Sequence, residues 1–177
     1  MKWLMLAGCV VVGLAAFGGA MAVMGLLTPK SHVVARRAVY RASREEVWRA
    51  IAEVEGYPGW RKDVKRVERL TDREGRAVWR EAGGQGEIVF ERVEAVAGER
   101  MVVRIADPGL PFGGTWTYEL AAVEGGTELR ITERGEIYNP VFRFMSRFFD
   151  LGATIEGVMK SLGKKFGEEI VPVPDGA

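Results

Sequence analysis

The stretch Asn139–Glu169, NPVFRFMSRFFDLGATIEGVMKSLGKKFGEE, decides the fold. Asn is a good N-cap and Pro is favoured at the first helical position, so Asn139-Pro140 opens a helix. Val141, Phe144, Met145, Phe148, Leu151, Ile155, Met159, Leu162 and Phe166 then fall on one stripe, which predicts a long helix to about Glu169. Pro172 and Pro174 end the ordered region and leave residues 170–177 as a flexible tail. A long helix with one apolar face needs a surface to cover.

The preceding residues supply it. Between Trp60 and Asn139 the chain reads as six strands, roughly 63–71, 76–82, 86–96, 99–107, 114–123 and 126–138. Turn signals separate them, among them Glu74-Gly75, Gly83-Gly84, Ala97-Gly98 and Gly125-Gly126. Met101, Val103 and Ile105 alternate with Val102 and Arg104. Trp116, Tyr118 and Leu120 alternate with Thr115, Thr117 and Glu119, and Leu129 and Ile131 share a parity with Glu133. This period of two marks an antiparallel sheet with one covered face. In the 86–96 strand the parity is unclear, as a bulge would make it.

Ahead of these strands, Val33–Arg41 reads as a first strand. Ser43-Arg-Glu-Glu46 is a capping box that starts a short helix, stopped by Gly56, Pro58 and Gly59. The order is therefore strand, short helix, six strands, long helix. A curved antiparallel sheet packed around the last helix is the simplest way to bury both apolar surfaces.

The segment Ser43-Arg-Glu-Glu-Val-Trp48 followed by Tyr57-Pro-Gly-Trp60 resembles the opening of the SRPBCC superfamily (START, polyketide cyclase/dehydrase and pollen-allergen-like domains). The stretches Pro111–Leu120 and Thr132–Phe144 are similar to a bacterial, membrane-anchored branch of the same group. The resemblance covers about residues 33–169. It implies an α+β helix-grip fold, a seven-stranded antiparallel sheet around a long C-terminal helix, with an apolar cavity between them. Some members are enzymes and many are carriers or sensors, and no shared catalytic motif exists to transfer.

The remaining N-terminal residues have their own pattern. Trp3–Leu27 is a run of 25 residues without a charge, long enough as a helix to cross a hydrocarbon core of about 30 Å. Residues 1–28 therefore read as a signal anchor. It makes the membrane a partner through residues 3–27 and predicts a single-pass protein of a bacterial inner membrane. A cleaved signal peptide has a shorter apolar core. Leu6-Ala7-Gly8-Cys9 looks like a lipobox, but too few apolar residues precede it. Lys30, Arg36 and Arg37 outweigh Lys2, so the positive-inside bias leans towards a cytoplasmic domain.

Composition narrows the chemistry. Net charge is +1, which gives no global pull on nucleic acid. One cysteine and one histidine in 177 residues leave no intrachain disulfide, no CxxC site and no His-rich metal site, and no cofactor motif is present. The expected ligand is a hydrophobic, lipid- or polyketide-like small molecule; oligomeric state stays open. The expected lining is Trp79, Met101, Val103, Ile105, Trp116, Tyr118, Glu133, Met145, Phe148, Gly152, Ile155 and Met159. Gly152 enters either as a position that leaves space for a ligand near the apolar stripe, or as a point of close helix–sheet packing or a kink near Asp150. Glu133 is the one catalytic candidate: a carboxylate on a cavity wall can act as general acid or base. The alternatives for it are a structural pair with Arg104 or Arg80, or solvent. Three functions stay open: binding or transfer of the ligand, a cyclase, dehydratase or hydrolase working through Glu133, and an interaction domain whose cavity is filled.

Overall fold

The computed structural model describes residues 16–84 and 86–176. After the described part of α1 (residues 16–26) come β1 (Ser31–Tyr40), α2 (Arg44–Ala52), a 3-10 turn (Val54–Gly59), β2 (Val64–Arg69), β3 (Val78–Gly83), β4 (Gly86–Val96), β5 (Arg100–Ile105), β6 (Phe112–Val123) and β7 (Gly126–Ile137). They are followed by α3 (Pro140–Ser146), α4 (Ala153–Lys165) and β8 (Val173–Asp175). The strands form one sheet in the order β2-β3-β4-β5-β6-β7-β1-β8, with neighbours antiparallel. Only β1 leaves sequence order, joining beyond β7 so that the first strand lies beside the last long one.

Local signals place the ends of the elements. The Ser43 hydroxyl accepts from the Glu46 amide and the Glu46 carboxylate accepts from the Ser43 amide, so α2 starts with both orphan donors satisfied. Tyr57 and Trp60 pack edge to face, with ring centroids 5.4 Å apart, and turn the chain into β2. The register of β4 shifts between Arg92 and Glu94, a bulge that accounts for the broken parity of this strand. At Gly126 (φ 153°) a Cβ would lie 1.9 Å from the Tyr40 carbonyl oxygen, so only glycine lets β7 turn in against β1.

The core lies between the sheet and α4. Ile155, Val158, Met159 and Leu162, spaced three and four apart, are buried on it. The Tyr40 hydroxyl donates to the Met159 carbonyl oxygen at 3.0 Å, and the Phe166 ring meets Tyr40 edge-on. Val47, Ala50 and Ile51 of α2 close one end of this core.

Four expectations change. The sheet has eight strands, not seven, because residues of the expected flexible tail pair with β1: Ala35 opposite Asp175 and Arg37 opposite Val173. The expected long helix is two helices, broken over residues 147–152. Asp150 takes up local backbone, accepting from the Gly152 amide at 2.8 Å, and its carboxylate also accepts from Arg36 at 3.1 Å. An aspartate bonded to its own backbone competes with the helix ladder, and Gly152 next to it has poor helix propensity.

The single-pass membrane localisation, with its cytoplasmic lean, is the third correction. Among the described residues no helix is long and apolar enough to cross a membrane. The described part of α1 spans only roughly 16 Å at about 1.5 Å per residue. Its end packs on α3: a Cβ at Gly25 would lie 1.6 Å from the Pro140 carbonyl oxygen. Residues 1–15 of the expected span, including the lipobox-like Leu6 to Cys9, lie outside the described residues. The fourth change concerns Gly152 and the site itself.

Candidate functional site

A cavity of about 940 Å³ lies between the inner face of the sheet and the break that separates α3 from α4. The strands build one wall by parity. Trp79 comes from β3, Ile88 and Phe90 from β4, Val103 and Ile105 from β5, and Trp116 and Tyr118 from β6. Trp79 and Phe90 stack at 5.8 Å, and the Trp116 and Tyr118 rings lie 6.2 Å apart. The helices supply the opposite wall through Phe142, Met145 and Phe149 around α3, and Thr154, Gly157 and Val158 of α4. The surface is mainly aromatic and aliphatic.

Seven of the expected lining residues meet there: Trp79, Val103, Ile105, Trp116, Tyr118, Glu133 and Met145. Met101, Ile155 and Met159 are fully buried in the core beyond the cavity and do not line it. Phe148 is 69% exposed, because the helix break rotates it out of the stripe. Gly152 leaves no space for a ligand. A Cβ there would lie 2.3 Å from the Arg36 guanidinium, which is held by Asp150 and Glu156. Of the described helical glycines, Gly157 is the one that lines the cavity, with nothing within 4 Å of where its Cβ would be.

Polar groups gather at two places on the wall. At the first, the Arg61 guanidinium meets the Glu81 carboxylate at 3.0 Å, lies 4.9 Å from the centre of the Tyr57 ring, and also pairs with Asp63. The Trp79 indole N–H donates to Glu81 at 2.9 Å. Burial pushes the Glu81 carboxyl up, against the opposing pull of Arg61 and of the Trp79 hydrogen bond. Burial also raises the Tyr118 hydroxyl, and Arg61 opposes it while Glu81, Asp63 and Glu133 add to it. Tyr118 therefore holds its proton in the neutral range and faces the cavity as a donor.

At the second place, Glu133 of β7 lies 3.6 Å from the imidazole of His32 on β1, and both line the cavity. Neither arginine expected as a partner is used by Glu133: Arg104 bonds to Glu91, and Arg80 to Glu68. Sequence reasoning missed Arg61, Glu81, Tyr57 and His32. Glu81 was within reach, because it shares the inward parity of Trp79 in β3. Among the described residues no three His, Cys, Asp or Glu side chains come together as a metal site.

An open sheet gripping C-terminal helices around an apolar cavity defines a START-like protein. The profile of the family described as "Polyketide cyclase / dehydrase and lipid transport" matches residues 31–167, and the chain belongs to that family. No curated protein matches. Solved structures share the fold. A START superfamily protein from Mycobacterium smegmatis aligns with a TM-score of 0.62 at 18% identity, covering 76% of this chain and 96% of that one. The Zhui aromatase/cyclase from Streptomyces sp. R1128 gives 0.58 at 12% identity, with 76% and 96% covered. The di-domain aromatase/cyclase StfQ of the steffimycin biosynthetic pathway gives 0.61 at 15% identity, covering 77% of this chain. The chain spans only 52% of StfQ, about half its length.

Proposed function

We propose that the protein binds a hydrophobic small molecule whose body lies among Trp79, Phe90, Ile105 and Trp116 and whose polar end meets Tyr118 near the Arg61–Glu81 pair. One observation carries this reading: a cavity of about 940 Å³ that is apolar along its length and polar at defined points. Ligand sites run to roughly 300–1,000 Å³ and combine apolar walls with a few placed polar groups. A volume of this size does not fit the alternative of a filled core.

The two carboxylates Glu81 and Asp63 already occupy Arg61, so the polar end favours a neutral oxygen over an anion. Titrating the protein with the dye 1-(phenylamino)naphthalene tests the reading. A one-to-one blue-shifted emission, competed by fatty alcohols and aromatic ketones, is the expected result. No emission change and no ligand retained in native mass spectra would sink it.

A second reading, a cyclase or dehydratase acting through Glu133, is favoured by one fact. Glu133 faces the cavity beside an imidazole rather than an arginine.

A further inference from the structure

We propose that α3 and the end of α1 form a docking surface for the headgroup boundary of an anionic phospholipid bilayer, a role beyond the ligand binding proposed above and independent of it. The surface begins with an unpartnered helix. Five of the seven residues of α3 are apolar, Pro140, Val141, Phe142, Phe144 and Met145, yet none of the seven is buried. Phe148 and Phe149 extend the stripe into the turn that follows. Phe142, Phe148 and Phe149 are each more than half exposed. An apolar stripe on a surface helix ordinarily faces a core; this one faces outward.

The end of α1 continues the same surface. Gly25 lies directly against the Pro140 carbonyl, so α1 abuts the start of α3. Lys30 fixes the joint from the other side. Its ammonium pairs with Glu136 at 3.3 Å and sits over the Tyr138 ring, and its carbonyl accepts from the Ile137 amide at 2.9 Å. Residues 16–29 carry no charge, and Val23, Leu26 and Leu27 are each more than half exposed. Contiguous apolar patches beyond a few hundred Å² are uncommon on monomeric proteins and mark contact surfaces.

Two observations choose the bilayer over a second copy of the chain. Every residue from Ala16 to Ala20 is exposed, so this part of α1 stands clear of the domain on all sides. A second copy covers one side of such a helix, whereas the acyl boundary surrounds it. The charge beside the patch is also positive. Asp150 and Glu156 are engaged by Arg36, and Glu136 by Lys30, which leaves Arg143 and Arg147 without an ion pair among the described residues. Cations beside an apolar face meet anionic headgroups while the face sinks about 5–10 Å into the boundary with the acyl chains. The surface lodges in one leaflet and crosses nothing.

An environment-sensitive nitrobenzoxadiazole label on the full chain tests the surface, placed at residue 148 through C9S/F148C. Phe148 does not line the cavity, so the label there reports the outer face. The control label goes through C9S/A97C into the turn after β4, whose length puts it roughly 33 Å from Gly86 at the cavity, at about 3.3 Å per residue. Vesicles of phosphatidylglycerol mixed into phosphatidylcholine are expected to blue-shift the label at 148, with quenching by brominated lipid, and to leave the label at 97 unchanged. L27S/R147Q alters two exposed positions and should lower vesicle affinity at least about 10-fold with the thermal midpoint unchanged. No shift at 148, an equal shift at 97, or an affinity unmoved by L27S/R147Q overturns the docking surface. A shift at 148 that needs no vesicles and follows protein concentration assigns the face to a second copy and overturns it as well. Dye uptake into the cavity is read in solution without vesicles, so either proposal can fail while the other stands.

Discussion

Arg61 and Glu81 meet at 3.0 Å with side chains only 12% and 9% exposed, so each neutralises a charge that the other would leave stranded beside the cavity. Removing one partner from a buried pair typically costs about 3–5 kcal/mol, whereas removing both charges is close to neutral. R61M is therefore expected to lose about 3–5 kcal/mol in urea unfolding. R61M/E81Q recovers most of that loss, because the side-chain amide introduced by E81Q keeps an acceptor oxygen for the Trp79 indole. A double variant as unstable as R61M would show that the pair is not what Arg61 supports.

Gly157 separates helix stability from cavity volume. It lies inside α4, lines the cavity, and has no neighbour within 4 Å of a Cβ position. An interior helical glycine costs about 0.5–1 kcal/mol relative to alanine. G157A is thus expected to raise stability by about that amount with dye affinity unchanged. G157W keeps the helix but fills the cavity, and dye affinity should fall at least about 10-fold, the equivalent of about 1.4 kcal/mol. Equal affinity in the two variants would place the dye elsewhere.

How much of this was legible beforehand depended on the range of the interaction. The capping box at Ser43, the Asn139 cap and the parity of Trp116, Tyr118 and Glu133 are set within a few residues, and the sequence displays them. The helix break is not local in this sense. The apolar stripe runs through it unbroken, and what holds Asp150 out of a helix includes Arg36, 114 residues away. That break is why Phe148 turns outward and why Gly152 is filled by a guanidinium. Nothing among the sequence neighbours of Arg61 shows that β3 brings Glu81 against it. His32 lies just past the apolar segment, and it is strand register that carries it to Glu133.

Acid should weaken the fold through two carboxylates. The hydrogen bond from Arg104, with help from Arg76, holds the Glu91 carboxyl below its ordinary 4.5, and Lys160 and then Arg36 do the same for Glu156. A folded-state pKa below the unfolded one means that the unfolded chain takes up protons first. The stabilisation is complete above the unfolded value and is lost as pH falls through the lower folded values. Urea midpoints should therefore hold above the ordinary carboxylate range and fall as pH drops below about 4.5. E91Q/E156Q should show a shallower drop over the same window, though it starts from a lower midpoint at pH 7. An unchanged slope would assign acid sensitivity to other groups.

The two halves of the broken helix should differ in dynamics. No residue of α3 is buried, whereas α4 buries Ile155, Val158, Met159, Leu162 and Gly163. Opening free energy follows buried apolar contact, so α3 amides are expected to exchange with solvent on the order of 100-fold faster than those in the middle of α4. The start of α3 is fixed by its cap: Asn139 accepts from the Val141 and Phe142 amides at 2.9 and 3.2 Å. N139A should cost about 1 kcal/mol and speed exchange in α3 alone. Because Phe142 and Met145 line the cavity, a bound dye gives α3 a surface to pack on and should slow its exchange selectively. Hydrogen exchange read by mass spectrometry resolves the two helices. Equal protection of α3 and α4 without ligand, or no slowing of α3 with dye bound, would show that α3 is a fixed wall of the cavity and not a segment that closes over its contents.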